Sequence, residues 1–208
     1  MKVLGIVCSP RKKGNTEVLV KEALDSARSL GAETEVVRVS DISITPCDGC
    51  GSCLTTAKCK IKDDMQGVYA RLLASDGIIF GSPVYFWDVT AQAKIIIDRT
   101  YAFRRERLLR NKVAGAVIVG RTAGLSSAFT TFNNFFNLQR MIPARSIGPR
   151  TAEELAGERG GLAIAYANKR GDVSKDNKAM AEARALGRAV VETITALGKR
   201  PAKPLKNI

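Results

Sequence analysis

The chain contains no histidine in 208 residues. That absence excludes Cys₂His₂ zinc sites, Rieske centres, Ser-His-Asp triads and Cys-His nucleophile pairs together. No apolar run approaches the roughly 20 residues of a membrane span. Neither a Walker A loop nor a G-x-G-x-x-G is present, which argues against a nucleoside triphosphate or a standard dinucleotide site. Acids are scarce, 20 against 33 bases, and the net charge is +13. Aromatics are few, at 6% with a single tryptophan. The rest is ordinary: 45% hydrophobic residues, 18 glycines and 7 prolines. Such a chain suits one globular domain with a sizeable core.

Cysteines are also few, but four of the five lie between Cys47 and Cys59, in "CDGCGSCLTTAKC". The fifth, Cys8, follows the apolar run of "MKVLGIVC". A single lysine, a short apolar core and no small residue before Cys8 make this a poor lipoprotein signal and a good first strand. A cytoplasmic protein is therefore expected. In that reducing compartment clustered thiols point to metal or redox work rather than a disulfide framework.

The positive charge is concentrated. Residues 198–208 carry +4 with no acid, and residues 99–112 carry six bases against Glu106. Such runs attract nucleic acid or an acidic protein, or are simply solvated. No aromatic-basic recognition motif accompanies them, so the solvated face is the expectation, and neither nucleic acid nor membrane is expected as a partner.

Strands and helices alternate along the chain. Strands are expected at 2–7, 32–40, 76–82, 113–120 and, more weakly, 144–150. Helices are expected at 15–31 (closed by Gly31), 64–74, 89–105, 126–139 and 175–197, with a Gly- and Glu-rich loop to about 161. This alternation predicts an α/β fold with a parallel sheet covered on both faces. Five strands suit the doubly wound, flavodoxin-like order 2-1-3-4-5, whose ligands sit beyond the carboxyl ends of the strands. The expected domain is 1–198, with a cysteine-rich loop (46–62) after strand 2 and a basic tail at 199–208.

The loops at those carboxyl ends look like a ligand site. After strand 1, "CSPRKKGNT" combines Gly14 for a tight turn with Asn15 and Thr16 opening a helix whose free N–H groups can hold a phosphate. Ser9 and Thr16 add hydroxyls, and Arg11 adds a guanidinium fork. After strand 3, Pro83 and Val84 lead into Tyr85, Phe86 and Trp87, an aromatic group whose exposure a planar ligand or a subunit interface would explain. Backbone groups of 83–87 could meet a flavin ring edge. After strand 4, Gly120 and Gly124 permit close approach to such a ring.

"SPRKKGNT", "GSPVYFWDVTAQAKIIIDR" and "GDVSKDNKAMAEARALGRAVVE" together resemble the NADPH-dependent FMN reductase superfamily over nearly the whole chain. With the cysteine motif added, the sequence is similar to iron–sulfur flavoproteins of the archaeal and anaerobic-bacterial type. The resemblance implies bound FMN, a [4Fe–4S] cluster and assembly as a homodimer or homotetramer, with cluster and flavin approaching across a subunit interface. It carries phosphate contacts onto Ser9, Arg11, Asn15 and Thr16, and ring contacts onto Pro83, Val84, Tyr85, Phe86 and Trp87. Cys8 departs from the glycine common at its position and reads as a small buried residue.

The cysteines are spaced C-x₂-C-x₂-C-x₅-C. Thiolates at intervals of three can each face a different iron of one cubane. Gly49 and Gly51 let the backbone turn between them, and five residues give Cys59 the reach to close the fourth corner. Zinc more often uses two separated C-x-x-C knuckles; zinc and redox-switch thiols are the alternatives. The expected ligands are thus Cys47, Cys50, Cys53 and Cys59. The expected function is a flavin-dependent oxidoreductase taking electrons from a carrier such as ferredoxin through the cluster to FMN and a small acceptor. The alternatives are an NAD(P)H-dependent FMN or quinone reductase with a structural cysteine loop, and a metal-stabilised nucleic-acid-binding protein. No side chain is expected to be catalytic, because the cofactors carry the chemistry.

Overall fold

The computed structural model describes residues 1–145 and 161–198. The chain alternates β1 (Lys2–Val7), α1 (Asn15–Ser29), β2 (Glu33–Arg38), α2 (Ser52–Thr56), α3 (Met65–Ala74), β3 (Gly77–Pro83) and α4 (Ala91–Arg99). It continues through β4 (Val113–Gly120), α5 (Leu125–Leu138), β5 (Ile142–Pro143), β6 (Leu162–Tyr166) and α6 (Asn177–Leu197). The strands pair in parallel in the order β2-β1-β3-β4-β5, the doubly wound order expected, and β6 also pairs with β4.

Successive residues of a strand face opposite sides, and here both sides are apolar. Leu4, Ile6, Ile78 and Phe80 point into one core under α3, α4 and α5. Val3, Val7, Ile79 and Val117 point into the other under α1 and α6. Phe80 anchors the first core against Phe132, Phe135 and Phe136, at ring separations of 5.4–5.7 Å. Cys8 belongs to that core and is fully buried, as its small size suggested.

The fifth strand position corrects the expectation for 144–150. Two pieces share the edge of β4: β5 pairs with Val113 and Ala114, and β6 pairs with Ala116 to Gly120. Ala144 donates to the Ala114 carbonyl at 2.8 Å, and Ala116 donates to the Gly161 carbonyl at 2.8 Å, so the ladder runs on from one piece to the other. Ala144 and Arg145 follow β5 as non-strand residues, and 146–150 lie outside the described residues. The strand at 162–166 carries little β signal in its sequence, because its buried positions are Ala163 and Ala165. The helix expected at 89–105 ends at Arg99 and passes into a 3₁₀ turn, Thr100–Phe103. The tail at 199–208 lies outside the described residues.

Helices α1 and α6 cross so closely that a Cβ on Gly187 would sit 1.9 Å from the Ala23 carbonyl oxygen. Backbone cannot yield as a side chain can. Gly187→Ala is expected to cost about 1–3 kcal/mol, read as a lower urea midpoint; an unchanged midpoint would contradict this crossing. Among the described residues no helix is long and apolar enough to cross a membrane.

Candidate cofactor sites

The loop after β1 is a cradle closed from beneath. Ser9 is buried and its hydroxyl accepts from the Arg11 amide at 3.2 Å. The Lys13 amide donates to buried Glu17 at 2.7 Å. Helix α1 starts at Asn15 without a side-chain cap, and its first backbone bond runs from the Val18 amide to the Gly14 carbonyl. Among the described residues nothing accepts from the amides of Asn15, Thr16 and Glu17, so three donors at the positive end of a 15-residue helix remain for an anion. Thr16 is buried beside them. Gly14 is needed for space rather than for an unusual turn: its φ is −82°, and a Cβ would lie 3.0 Å from the Arg11 carbonyl. The left-handed residue of the loop is Lys13, at φ 53°.

Asn15 and Arg11 reach partners that the sequence did not suggest. The Asn15 side-chain amide donates to the Lys169 carbonyl and its oxygen accepts from the Gly171 amide, both at 2.8 Å. Arg11 reaches the Asn168 carbonyl at 3.5 Å. The loop after β6 is therefore the far wall of the cradle, and it brings exposed Tyr166, Lys169 and Arg170 to the same end of the sheet.

The loop after β3 forms a tight antiparallel turn, with Tyr85 and Asp88 exchanging backbone bonds of 2.9 and 3.2 Å. Phe86 and Trp87, at its corners, have φ of 47° and 72°. Two bulky residues in the left-handed region cost about 1–2 kcal/mol each; such strain gathers at functional sites. Phe86 is 100% exposed and Trp87 65% exposed. Val84 donates to the Val119 carbonyl, while the amides of Phe86 and Trp87 have no acceptor among the described residues. The turn is braced by Thr131, which donates to the Asp88 carboxylate at 2.8 Å. Thr90, fully buried, caps α4 and donates to the Cys8 carbonyl at 2.7 Å, locking this loop to the one after β1.

Gly124 lies against the same turn. Its φ is 84°, and a Cβ there would sit 2.7 Å from Val84 Cγ1 and 3.1 Å from the Trp87 carbonyl oxygen. Gly124→Ala is expected to displace residues 84–87 and to weaken flavin binding on the order of tenfold, a cost of about 1.4 kcal/mol; flavin fluorescence titration giving an unchanged Kd would contradict this. Gly120 meets Leu125 in the same way, at 2.9 Å.

Cys47, Cys50, Cys53 and Cys59 line one cavity of about 180 Å³, together with Ile61 and Ala102. All four are free thiols. Gly49 and Gly51 have φ of 68° and 72°, the turns foreseen between them. Among the described residues no three Cys, Asp, Glu or His side chains converge as ligands of a single ion would. Four thiols around one cavity are a donor set that a four-iron cluster or a Cys₄ zinc ion could use. Asp48, beside them, is lowered to about 2 by the Cys50 side chain and amide and then by Lys60.

Arg99 is the residue that sequence reasoning misplaced. Its place in the basic run 99–112 predicts a solvated charge, yet its side chain is fully inaccessible. It holds Asp63 through two bonds of 2.7 and 3.0 Å and donates to the Thr45 carbonyl at 2.6 Å and the Ile61 carbonyl at 3.5 Å. Asp63 also accepts from the amides of Thr45 and Met65. Both ends of the cysteine loop are thus tied to α4. Arg105 adds a second clamp, donating to the carbonyls of Leu54 and Thr55.

A family model described as NADPH-dependent FMN reductase matches residues 1–151. An iron–sulfur flavoprotein of Methanocaldococcus jannaschii is 40% identical over 201 residues, covering 96% of this chain and 100% of that protein. The chain belongs to the NADPH-dependent FMN reductase family, among its iron–sulfur flavoproteins. A second such flavoprotein, from Methanosarcina thermophila, is 38% identical over 68% of this chain and 76% of its own. Among solved structures, RosB with a bound 8-demethyl-8-formylriboflavin-5′-phosphate intermediate superposes with a TM-score of 0.73 at 17% identity, covering 99% of this chain and 83% of that one. A flavodoxin-type WrbA-like protein from Agrobacterium tumefaciens gives 0.62 at 15% identity, covering 94% and 97%. These two show the fold.

The protein is a flavin-dependent oxidoreductase of this family. The name of these relatives draws attention to the cysteine loop, and Arg99 and Asp63 are what fix that loop to the flavodoxin-like frame. The signal that could have found Arg99 is its position: it closes α4, whose apolar side lies in the core.

Proposed function

We propose that this chain carries a [4Fe–4S] cluster on Cys47, Cys50, Cys53 and Cys59 and FMN at the carboxyl ends of β1, β3 and β4. Electrons would be drawn from a reduced carrier such as ferredoxin and delivered to a small acceptor: oxygen, peroxide or a quinone. The observation that carries this is the single cavity ringed by all four thiols, in a chain whose relatives bear the name iron–sulfur flavoprotein. When bound, the two groups supply exchange between one-electron and two-electron chemistry.

The protein's own part is placement. The amides of Asn15, Thr16 and Glu17, with Ser9 and Thr16, would receive the FMN phosphate. The turn at Pro83–Trp87 and the glycines at 120 and 124 would border the ring. The fully exposed Phe86 and half-exposed Tyr85 support assembly as a homodimer or homotetramer, which would shield these rings from water. The decisive experiment is stopped-flow reduction of the anaerobic holoprotein. Rapid flavin reduction by reduced ferredoxin, with slow reduction by NADPH, supports the carrier reading.

The second reading, an NAD(P)H-dependent reductase, has its own support. A protein named NAD(P)H dehydrogenase (quinone) from Archaeoglobus fulgidus is 35% identical over 108 residues. Fast hydride transfer from NADPH, with the cysteine loop free of iron, would favour it.

A further inference from the structure

Beside the thiol cavity lies a second, larger one of about 550 Å³, and Cys53 and Leu54 line both. Its other walls include Arg104, Arg105, Arg107 and Arg140. No carboxylate lines it among the described residues. The nearby acid, Glu106, lies 3.7 Å from Arg105. Leu54 and Leu138 are 55% and 72% exposed at its margin. Four guanidiniums around exposed leucines, next to a ligand cysteine, make neither a solvated charge run nor an ordinary loop surface.

The backbone sharpens the point. Arg107 and Arg140 have φ of 52° and 59°. Arg140 stands just past the end of α5: its amide donates to the Asn137 carbonyl, and the Met141 amide donates to the Phe136 carbonyl at 2.9 Å. That is the helix-closing position where glycine is most favourable, because a Cβ is strained there. Two arginines hold conformations that glycine would hold at lower cost, and both face one basin. Backbone strain kept at a clustered charge site is a sign of use rather than of folding.

We infer that this arginine basin is the docking site for a small acidic electron-carrier protein, seated over the Cys53–Leu54 edge of the cysteine loop. This rests on the carrier reading of the function. Charge complementarity identifies the partner: a basin of four fixed positive charges attracts an acidic surface from a distance. The exposed leucines give the apolar centre that a short-lived interface needs. Arg105 has a double task, because the same guanidinium that faces the basin holds the carbonyls of Leu54 and Thr55. A carrier docked there meets the loop at its anchored side, beside a thiol rather than beside the flavin cradle.

The test is equilibrium binding of the anaerobic holoprotein to an acidic two-cluster ferredoxin, measured by interferometry across a salt series. Arg105 is left in place. Arg104→Glu/Arg107→Glu/Arg140→Glu is expected to slow association about tenfold or more at low salt and to flatten the salt dependence. Arg107→Gly/Arg140→Gly is expected to weaken binding less while keeping or raising the melting temperature, which separates docking from unfolding. Lys178→Glu, an exposed change on α6 across the sheet, is expected to bind as wild type does. If wild type binds and the triple reversal binds equally well, the basin is not the docking site and the carrier reading stands. If wild type itself does not bind, the carrier reading falls and the inference with it. Loss of single-stranded nucleic-acid binding, or a raised NADPH KM, with carrier binding intact would assign the basin to that ligand and overturn the inference.

Discussion

Arg99→Met is expected to lower the unfolding free energy by about 3–5 kcal/mol, because it strands a carboxylate whose partner was buried. The guanidinium is wholly inaccessible and Asp63 is only 10% exposed. Methionine keeps much of the volume and none of the donors, so the loss is one of pairing rather than of packing. The damage should begin locally, as opening of residues 43–64, before the sheet is affected. Arg99→Met/Asp63→Asn is expected to recover part of the loss, since the uncompensated charge is gone and an acceptor for the Thr45 amide remains. Urea unfolding followed by tyrosine and tryptophan fluorescence measures both; a single variant as stable as wild type would contradict the buried clamp.

The same pair sets an acid limit. Asp63 is held below the usual carboxylate range, first by the hydrogen bonds from Arg99. A lowered folded-state value means the contribution is fully present above the ordinary pKa of about 3.9 and is lost as pH falls through the lower, folded value. Wild-type stability is therefore expected to keep this contribution from neutral pH down to about 4 and to lose it below that, whereas the gap to Arg99→Met narrows sooner, because the stranded carboxylate takes up its proton above the ordinary value. A wild-type loss between pH 6 and 8 would point to another group.

Cys53→Ala is expected to abolish iron binding, from about four irons per chain to fewer than one, because a cluster on four cysteines loses a corner. Cys8→Ala is the matched contrast. Cys8 is fully buried in the core under α3 to α5, and burial pushes its thiol far up, so it is a poor ligand and a sound packing residue. Its removal is expected to cost about 1 kcal/mol of stability and to leave the iron count unchanged. Equal iron in the two variants would contradict the division of the five cysteines.

What the sequence showed and what it hid have physical reasons. The order of the sheet was legible because β1, β3 and β4 are continuous apolar runs, buried on both faces. The gathering of four cysteines around one cavity was legible from spacing alone, since glycines at 49 and 51 turn the chain between them. Strand β6 was not, because alanines fill its buried positions. With β6 went the loop that Asn15 pins across the cradle. The partners of Arg99 were not legible either. They lie 36 and 54 residues away in sequence, at Asp63 and Thr45, and the charge pattern of the run hides a burial that only the helical position of Arg99 suggests. The strain at Phe86 and Trp87 is likewise a backbone property that aromatic composition alone does not reveal.

The central claim is that one chain holds both an iron–sulfur cluster and a flavin. Its most direct test is the anaerobic holoprotein's content of iron, acid-labile sulfide, zinc and flavin, with a visible spectrum before and after dithionite. About four irons and one FMN per chain, with broad absorbance bleached on reduction, is the expected result. One FMN with no iron from the same preparation would contradict it and leave the simple flavin reductase as the account.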